Sequence, residues 1–102
     1  FNDHPRLGSV VGYTAIHSLA AGLRKAGGSD TEKLIAAFRG LEVTSPFGPI
    51  RYRPEDHQST MGGYVGRTKL ENGKGVMGTF RYIDGASVLP SAEEVKKLRP
   101  AD

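Results

Sequence analysis

The sequence has no cysteine, no starting methionine and no apolar run close to the roughly 18 residues that a membrane span requires. Without cysteine, the chain cannot form a disulfide framework, a thiolate metal site or a cysteine nucleophile. No signal-peptide pattern of basic, apolar and small-residue regions follows Phe1. These absences leave the cellular compartment open, because a mature exported protein also lacks its signal.

The composition is that of a small globular domain or of a piece of a larger one. Of the 102 residues, 37% are hydrophobic and 25% are charged, unlike a disordered chain. The net charge of +3 raises the question of a nucleic-acid partner. The tight basic group Lys96, Lys97 and Arg99 suits the negative end of a predicted helix. The other basic residues are dispersed, so charge alone does not predict nucleic-acid binding. Examples spread along the chain are Arg24, Arg39, Arg51, Arg67, Lys74 and Arg81.

The stretch from Gly12 to Gly28 is the longest segment in the chain with the apolar periodicity of an amphipathic helix. Ser9 is predicted to be the N-cap of this helix, which would begin near Val10. Gly27 and Gly28 end it, because glycine adopts the left-handed conformation of a helix terminus without steric cost. We expect later elements to pack against its apolar face, with Thr14, Ser18, Arg24 and Lys25 opposite and His17 at the polar edge. The apolar face comprises Tyr13, Ile16, Leu19, Ala20, Leu23 and Ala26.

A short second helix follows. Ser29 and Glu32 have the spacing of a capping box, and Gly40 ends the helix or nearly so. Its inward positions are predicted to be Leu34, Ile35, Phe38 and Leu41. One short helix cannot cover the whole apolar face of the first, so we expect the region around Ile16, Leu19 and Leu23 to need a partner, either the rest of a longer protein or a second copy.

The second half of the sequence has the patterns of strands. Turn residues at 45–49 precede a predicted half-solvated strand at 50–53. Two strand-like runs, 61–70 and 76–83, flank Asn72-Gly73, the strongest short-range signal for a hairpin. A final helix is predicted after a capping box of Ser91 and Glu94, ended by Pro100, with Ala92, Val95 and Leu98 inward. The predicted α/β order is helix, helix, strand, β-hairpin, short helix.

No motif predicts catalysis, a metal site or a cofactor. Residues 73–78 match G-x-G-x-x-G, but a dinucleotide site needs a strand before and a helix after this motif, and here it lies in a hairpin. His4, His17 and His57 lack the spacing of metal ligands on one helix face. Asp56 and Ser59 beside His57 are predicted to make turn hydrogen bonds rather than a triad. The chain is therefore not predicted to be an enzyme.

The predicted hairpin allows two interpretations. Its aromatic and basic residues resemble a stacking platform for single-stranded nucleic acid, namely Tyr64, Arg67, Lys69, Phe80, Arg81 and Tyr82. The same alternation is typical of an ordinary sheet with one buried and one polar face. We favour the ordinary sheet.

Several stretches in their order resemble the C-terminal region of leucine/isoleucine/valine-type periplasmic binding proteins, the solute receptors of ABC importers. They are GYTA at 12–15, LAAGLRKAG at 19–27, DTEKLIAAFRG at 30–40, FGPIRY at 47–52 and DHQ at 56–58. Their order and spacing carry the resemblance, which covers residues 7–90. No single motif among them is specific.

The resemblance implies that the chain is the C-terminal portion of a two-lobed type I periplasmic-binding-protein fold. Residues 1–53 would supply the helices and strand of one lobe, and residues 54–102 the crossover strands and terminal helix. The lobes, joined by three crossovers, would close over an amino acid or another small carboxylate, aromatic ones included, without covalent chemistry or a cofactor. The implied partners are the solute, the remainder of the binding protein and the membrane subunits of an ABC transporter, with the receptor in the periplasm.

The resemblance also implies a site. Gly8, Ser9 and Val10, in the loop leading into the first helix, are similar to positions that line the mouth of the pocket against the ligand side chain. The groups that hold the ligand's carboxylate and ammonium would lie in earlier segments. Small residues where relatives can have an aromatic one imply a roomier pocket. The alternative is a self-contained small basic α+β module that binds nucleic acid or a protein partner.

Overall fold

A computed structural model of the chain describes residue 2 and residues 4–98. Within these residues, three helices and two antiparallel two-stranded sheets follow one another along the sequence. This confirms the predicted α/β class, with one strand more than expected. None of the described helices is long and apolar enough to cross a membrane. The elements are α1 (Leu7–Ala26), α2 (Thr31–Phe38), β1 (Glu42–Ser45), β2 (Gly48–Arg51), β3 (Gly63–Glu71), β4 (Lys74–Ile83), a 3₁₀ turn (Gly85–Ser87) and α3 (Ala92–Leu98).

Helix α1 begins earlier than predicted. Arg6 is the N-cap, so Ser9 lies inside the first turn and the prediction that it caps the helix is wrong. The far end agrees with the prediction, because Gly27 has a φ of 71° and its N–H donates to the Leu23 carbonyl oxygen at 3.0 Å. Glycine tolerates this left-handed conformation, which turns the chain toward α2.

The buried face of α1 is the small polar one, which corrects the predicted orientation. Thr14, Ser18 and Gly22 are buried, whereas Ile16 is 67% exposed and Leu19 is 45% exposed. Small side chains let α1 approach its neighbours closely, as a Cβ on Gly22 would lie only 2.5 Å from the ring of Phe38. The exposure of Ile16 and Leu19 agrees with the expectation that this part of the apolar face needs a partner, whereas the expectation that Thr14 and Ser18 lie on the outer face is wrong.

Helix α2 is capped by Asp30 rather than by the predicted Ser29. The Asp30 carboxylate accepts from the Lys33 backbone N–H at 3.0 Å. Among the predicted inward positions, Leu41 is buried but Ile35 is 41% exposed. The helix ends at Phe38, two residues before Gly40, which has a φ of 69°.

Strands β1 and β2 form a tight hairpin that the sequence pattern did not predict. Ser45 pairs with Gly48 across the turn. The Ser45 hydroxyl accepts from the Phe47 N–H at 3.1 Å and donates to the Gly48 carbonyl at 2.8 Å. Because β1 has only four residues and runs directly into the turn residues, its alternation was too short to recognise.

The predicted hairpin at Asn72-Gly73 is confirmed. Both residues have positive φ, 51° and 75°, as a two-residue hairpin turn of this type requires. The long strands β3 and β4 pair on either side of it, with a register shift between Gly66 and Thr68. Tyr64 lies opposite Tyr82.

The capping box of α3 is also confirmed. The Ser91 backbone N–H and hydroxyl both donate to the Glu94 carboxylate, at 2.8 Å and 2.7 Å. Val95 is buried as predicted, whereas Leu98 is 79% exposed and Ala92 is also exposed. The predicted stop at Pro100 and the basic residue Arg99 lie outside the described residues.

The chain is extended and exposes more surface than a self-contained protein of its size. Its radius of gyration is 17.1 Å, against about 13 Å for a compact domain of this length. The accessible surface is 8025 Å², whereas a monomer of 10.9 kDa exposes about 5,600 Å². The excess of about 2,400 Å² is comparable to what an obligate partner covers.

Candidate functional site

The residues assigned to the pocket mouth lie in the first turn of α1. The sequence placed Gly8, Ser9 and Val10 in a loop, and the structure corrects this, because all three belong to the helix. Gly8 and Ser9 are exposed and Val10 is half-buried. A Cβ on Gly8 would have no neighbour within 4 Å, so the position is open toward the outside of this chain.

The start of α1 has the electrostatics of a site for negative charge. Helix geometry leaves the first backbone N–H groups without acceptors inside the helix, and the helix dipole places positive charge at this end. Within the described residues, no side chain caps these groups and the first turn contains no acidic residue. The Ser9 N–H already donates to the Arg6 carbonyl oxygen at 2.9 Å, so the positive end of the helix dipole is what would favour an anionic group beside this turn.

A ladder of hydrogen bonds connects this turn to the sheet. The Tyr52 hydroxyl donates to Ser18 Oγ at 2.8 Å, and Ser18 Oγ donates to the Thr14 carbonyl at 2.7 Å. Thr14 Oγ1 in turn donates to the carbonyl oxygen of Val10 at 2.8 Å. Thr14 and Ser18 are buried, and the bond from Tyr52 is the one member of the ladder that joins α1 to the residue after β2.

Sequence reasoning did not identify this ladder. Tyr52 and Ser18 are 34 residues apart, and nothing in either local pattern indicates that they meet. A signal for the buried face did exist, because Thr14, Ser18 and Gly22 recur every four residues and form a stripe of small residues along one side of the helix.

Two open grooves lie elsewhere on the surface. One, of about 410 Å³, lies between α1 and the β1–β2 hairpin, and Arg24 and Glu42 are among its lining residues. The other, of about 580 Å³, runs along β3 and β4 beside Arg67 and Arg81. Neither is lined by Gly8, Ser9 or Val10.

The other motifs have structural roles in the described part of the chain. The G-x-G-x-x-G motif forms the turn and first part of β4, and no helix opens from it. Asp56 Oδ1 accepts from the Gln58 N–H at 3.0 Å, and Ser59 Oγ accepts from the Met61 N–H at 3.0 Å, which confirms the predicted turn bonds. No cluster of three potential metal ligands occurs among the described residues.

The aromatic face of the hairpin is not buried within this chain. Tyr64 contacts Tyr82 and Phe80 edge-on, with ring centroids 5.2 Å and 5.7 Å apart, and Phe47 from the β1–β2 turn joins the group. Phe80 is nevertheless 57% exposed. The prediction of one buried face therefore does not hold for this chain alone.

Comparisons with known proteins agree with the predicted resemblance. The periplasmic binding protein family matches residues 2–74. Among solved structures, the chain is similar to an ABC-type branched-chain amino acid transporter from Rhodopseudomonas palustris, with 32% identity and a TM-score of 0.75. That similarity covers 84% of this chain and 24% of the other. No curated protein matches the chain at a significant level.

The chain belongs to the periplasmic binding protein family. It corresponds to a fragment of that fold, spanning about a quarter of the length of the solved relative.

Proposed function

We propose that the chain is the C-terminal part of an extracytoplasmic solute receptor that delivers an amino acid, or another small carboxylate, aromatic ones included, to an ABC importer. The observation that carries the proposal is the similarity to the R. palustris transporter over 84% of the chain. The receptor acts in the periplasm by closing two lobes around the solute, without covalent chemistry, and then engages the membrane subunits of the importer.

The excess surface supports a division between two lobes. In this proposal residues 1–53 belong to one lobe and residues 54–102 cross to the other. The exposed apolar residues of α1, including Ile16 and Leu19, then contact the remainder of the receptor. Burial of one such side chain stabilises a fold by roughly 1.5–3 kcal/mol, which is reason enough for these residues to be covered.

Gly8, Ser9 and Val10 form one wall of the solute pocket in this proposal. The open space at Gly8 leaves room for a bulky solute side chain, and the positive end of α1 favours a carboxylate. The opposite wall and the groups that bind the ammonium come from segments of the receptor outside this chain.

A thermal-shift screen of the full-length polypeptide tests the function. Branched-chain amino acids, aromatic amino acids and simple aromatic carboxylates are added singly at high concentration. A ligand at about 100 times its Kd stabilises the native state by about 2.7 kcal/mol, so a true solute raises the melting temperature clearly. The proposal is wrong if no amino acid or carboxylate does so while an oligonucleotide binds tightly and is released by salt, the behaviour of a nucleic-acid-binding module.

The variant Gly8→Phe tests the site. A phenylalanine at this position would fill the space near the solute side chain, and overpacking a formed site typically costs about 1–3 kcal/mol. Calorimetric titration should therefore show weaker binding of bulky solutes, with small ones less affected. Gly75→Phe is the matched control, since a Cβ there also has no neighbour within 4 Å and lies on β4. If Gly8→Phe and Gly75→Phe bind every solute equally well, residues 8–10 lie outside the pocket.

A further inference from the structure

Two connecting segments touch where the chain passes from the helices to the long hairpin. We call α1, α2, β1 and β2 the front unit, and β3 with β4 the hairpin unit. Residues 52–62 lead from the first to the second, and residues 84–91 leave the hairpin toward α3. The relative position of the two units depends on how these segments are held, in addition to the contact of Phe47 in the β1–β2 turn with Tyr64 and Tyr82 of the hairpin.

A buried ion pair lies in the first segment. Both oxygens of the Asp56 carboxylate accept from the Arg53 guanidinium, and the Asp56 side chain is only 2% exposed. The remaining arm of Arg53 reaches across to the second segment, where Nη1 donates to the Pro90 carbonyl oxygen at 2.6 Å. The hydrogen bond to Asp56 raises the pKa of Arg53 above its ordinary value, so the guanidinium stays charged.

The backbones of the same two segments are also in direct contact. A Cβ on Gly62 would overlap the Ile83 carbonyl oxygen and lie 2.8 Å from the Gly85 amide nitrogen. A Cβ on Gly85 would lie 2.6 Å from the Thr60 carbonyl oxygen. Only glycine permits this approach from both sides. The Gly62 N–H also donates to the Tyr82 hydroxyl at 2.9 Å, which ties the entry of the hairpin to its exit.

We infer that Arg53 and Asp56, together with the Gly62–Gly85 contact, form a clamp that sets the angle between the front unit and the hairpin unit. Arg53 is the central positioning residue, because it holds Asp56 in its own segment and Pro90 in the other at the same time. A planar guanidinium can serve two acceptors in fixed directions, whereas a lysine ammonium on a flexible stem cannot hold both in this geometry.

The test measures the distance between the units in the full-length polypeptide without added solute. The printed sequence has no cysteine, so Glu32→Cys on α2 and Lys74→Cys on β4 give two spin-label sites, with any cysteine elsewhere replaced by serine. Double electron–electron resonance then reports the distribution of distances. We expect a single narrow peak for the parent and loss of that peak, with a broad distribution, for Asp56→Asn.

The control is Glu71→Gln, which removes the exposed ion pair of Lys69 and Glu71 at 3.2 Å within the hairpin unit. Exposed pairs contribute little to stability, so the narrow peak should survive. A narrow, unshifted peak in Asp56→Asn with a native circular dichroism spectrum would overturn the inference.

If Asp56→Asn does not fold, the variant Arg53→Lys tests the clamp instead. It keeps the positive charge but cannot donate to both the Asp56 carboxylate and the Pro90 carbonyl oxygen. A broad distribution in Arg53→Lys supports the clamp, and a distribution like that of the parent refutes it. Because no solute is involved, failure of this test leaves the proposed receptor function untouched, and failure of the solute screen leaves the clamp untouched.

Discussion

The hydrogen bond between Tyr52 and Ser18 can be tested by a double-mutant cycle. In Tyr52→Phe the ring keeps its edge-on contact with Phe38, whose centroid is 5.3 Å away, and only the hydroxyl is lost. Ser18 Oγ then remains buried without its donor, which should cost about 1–1.5 kcal/mol of unfolding free energy. Ser18→Ala removes the other partner at a cost of about 1 kcal/mol, partly offset by roughly 0.5 kcal/mol from the better helix propensity of alanine.

The double variant shows whether the two hydroxyl groups interact energetically or are merely close to each other. With both hydroxyls gone, no polar group is stranded, and stability should lie within about 0.5 kcal/mol of the parent. The coupling energy is then about 1 kcal/mol, measured by urea unfolding of the full-length polypeptide followed by circular dichroism. Tyr13→Phe, an exposed tyrosine on the same helix, should combine additively with Ser18→Ala. If Tyr52→Phe and Ser18→Ala also add within about 0.3 kcal/mol, the ladder does not hold the helix.

Two further predictions concern packing and pH. Gly22→Val should lower the urea midpoint by an amount equivalent to about 1–3 kcal/mol, because the added side chain overlaps the ring of Phe38. An unchanged midpoint would show that α1 and α2 are not in close contact. Hydrogen bonds from Ser91 lower the pKa of Glu94, so the cap of α3 is fully effective above the ordinary glutamate pKa and is lost as the pH falls through the lower folded-state pKa. An NMR titration should place the midpoint of Glu94 below the ordinary glutamate value, and a midpoint at or above that value would contradict the cap.

Features encoded by a few neighbouring residues could be predicted from the sequence. Asn72 and Gly73 both adopt the positive φ that a two-residue hairpin turn requires. Ser91 and Glu94 cap the start of α3 by bonding to each other. Neither motif needs a partner that is distant in the sequence. The end of α1 at Gly27 is local in the same way. These predictions are confirmed because the interactions that stabilise each feature are made by residues only a few positions apart in the sequence.

Features that depend on distant partners were predicted less well. The choice of buried face on α1 was wrong because close packing against Phe38 favours small residues, whereas the hydrophobic pattern identifies a face that this chain leaves exposed. The shift of the α2 cap from Ser29 to Asp30 is a one-residue error typical of helix ends. The pocket assignment of residues 8–10 came from the resemblance alone, because no local pattern in the sequence indicates a binding pocket there.

The most direct test of the account is a crystal structure of the full-length polypeptide with a solute identified by the thermal-shift screen. The account predicts one solute molecule between two lobes, with its side chain within about 4.5 Å of Gly8, Ser9 or Val10 at the start of α1. A solute bound elsewhere, with the first turn of α1 facing solvent or buried against protein alone, would contradict it.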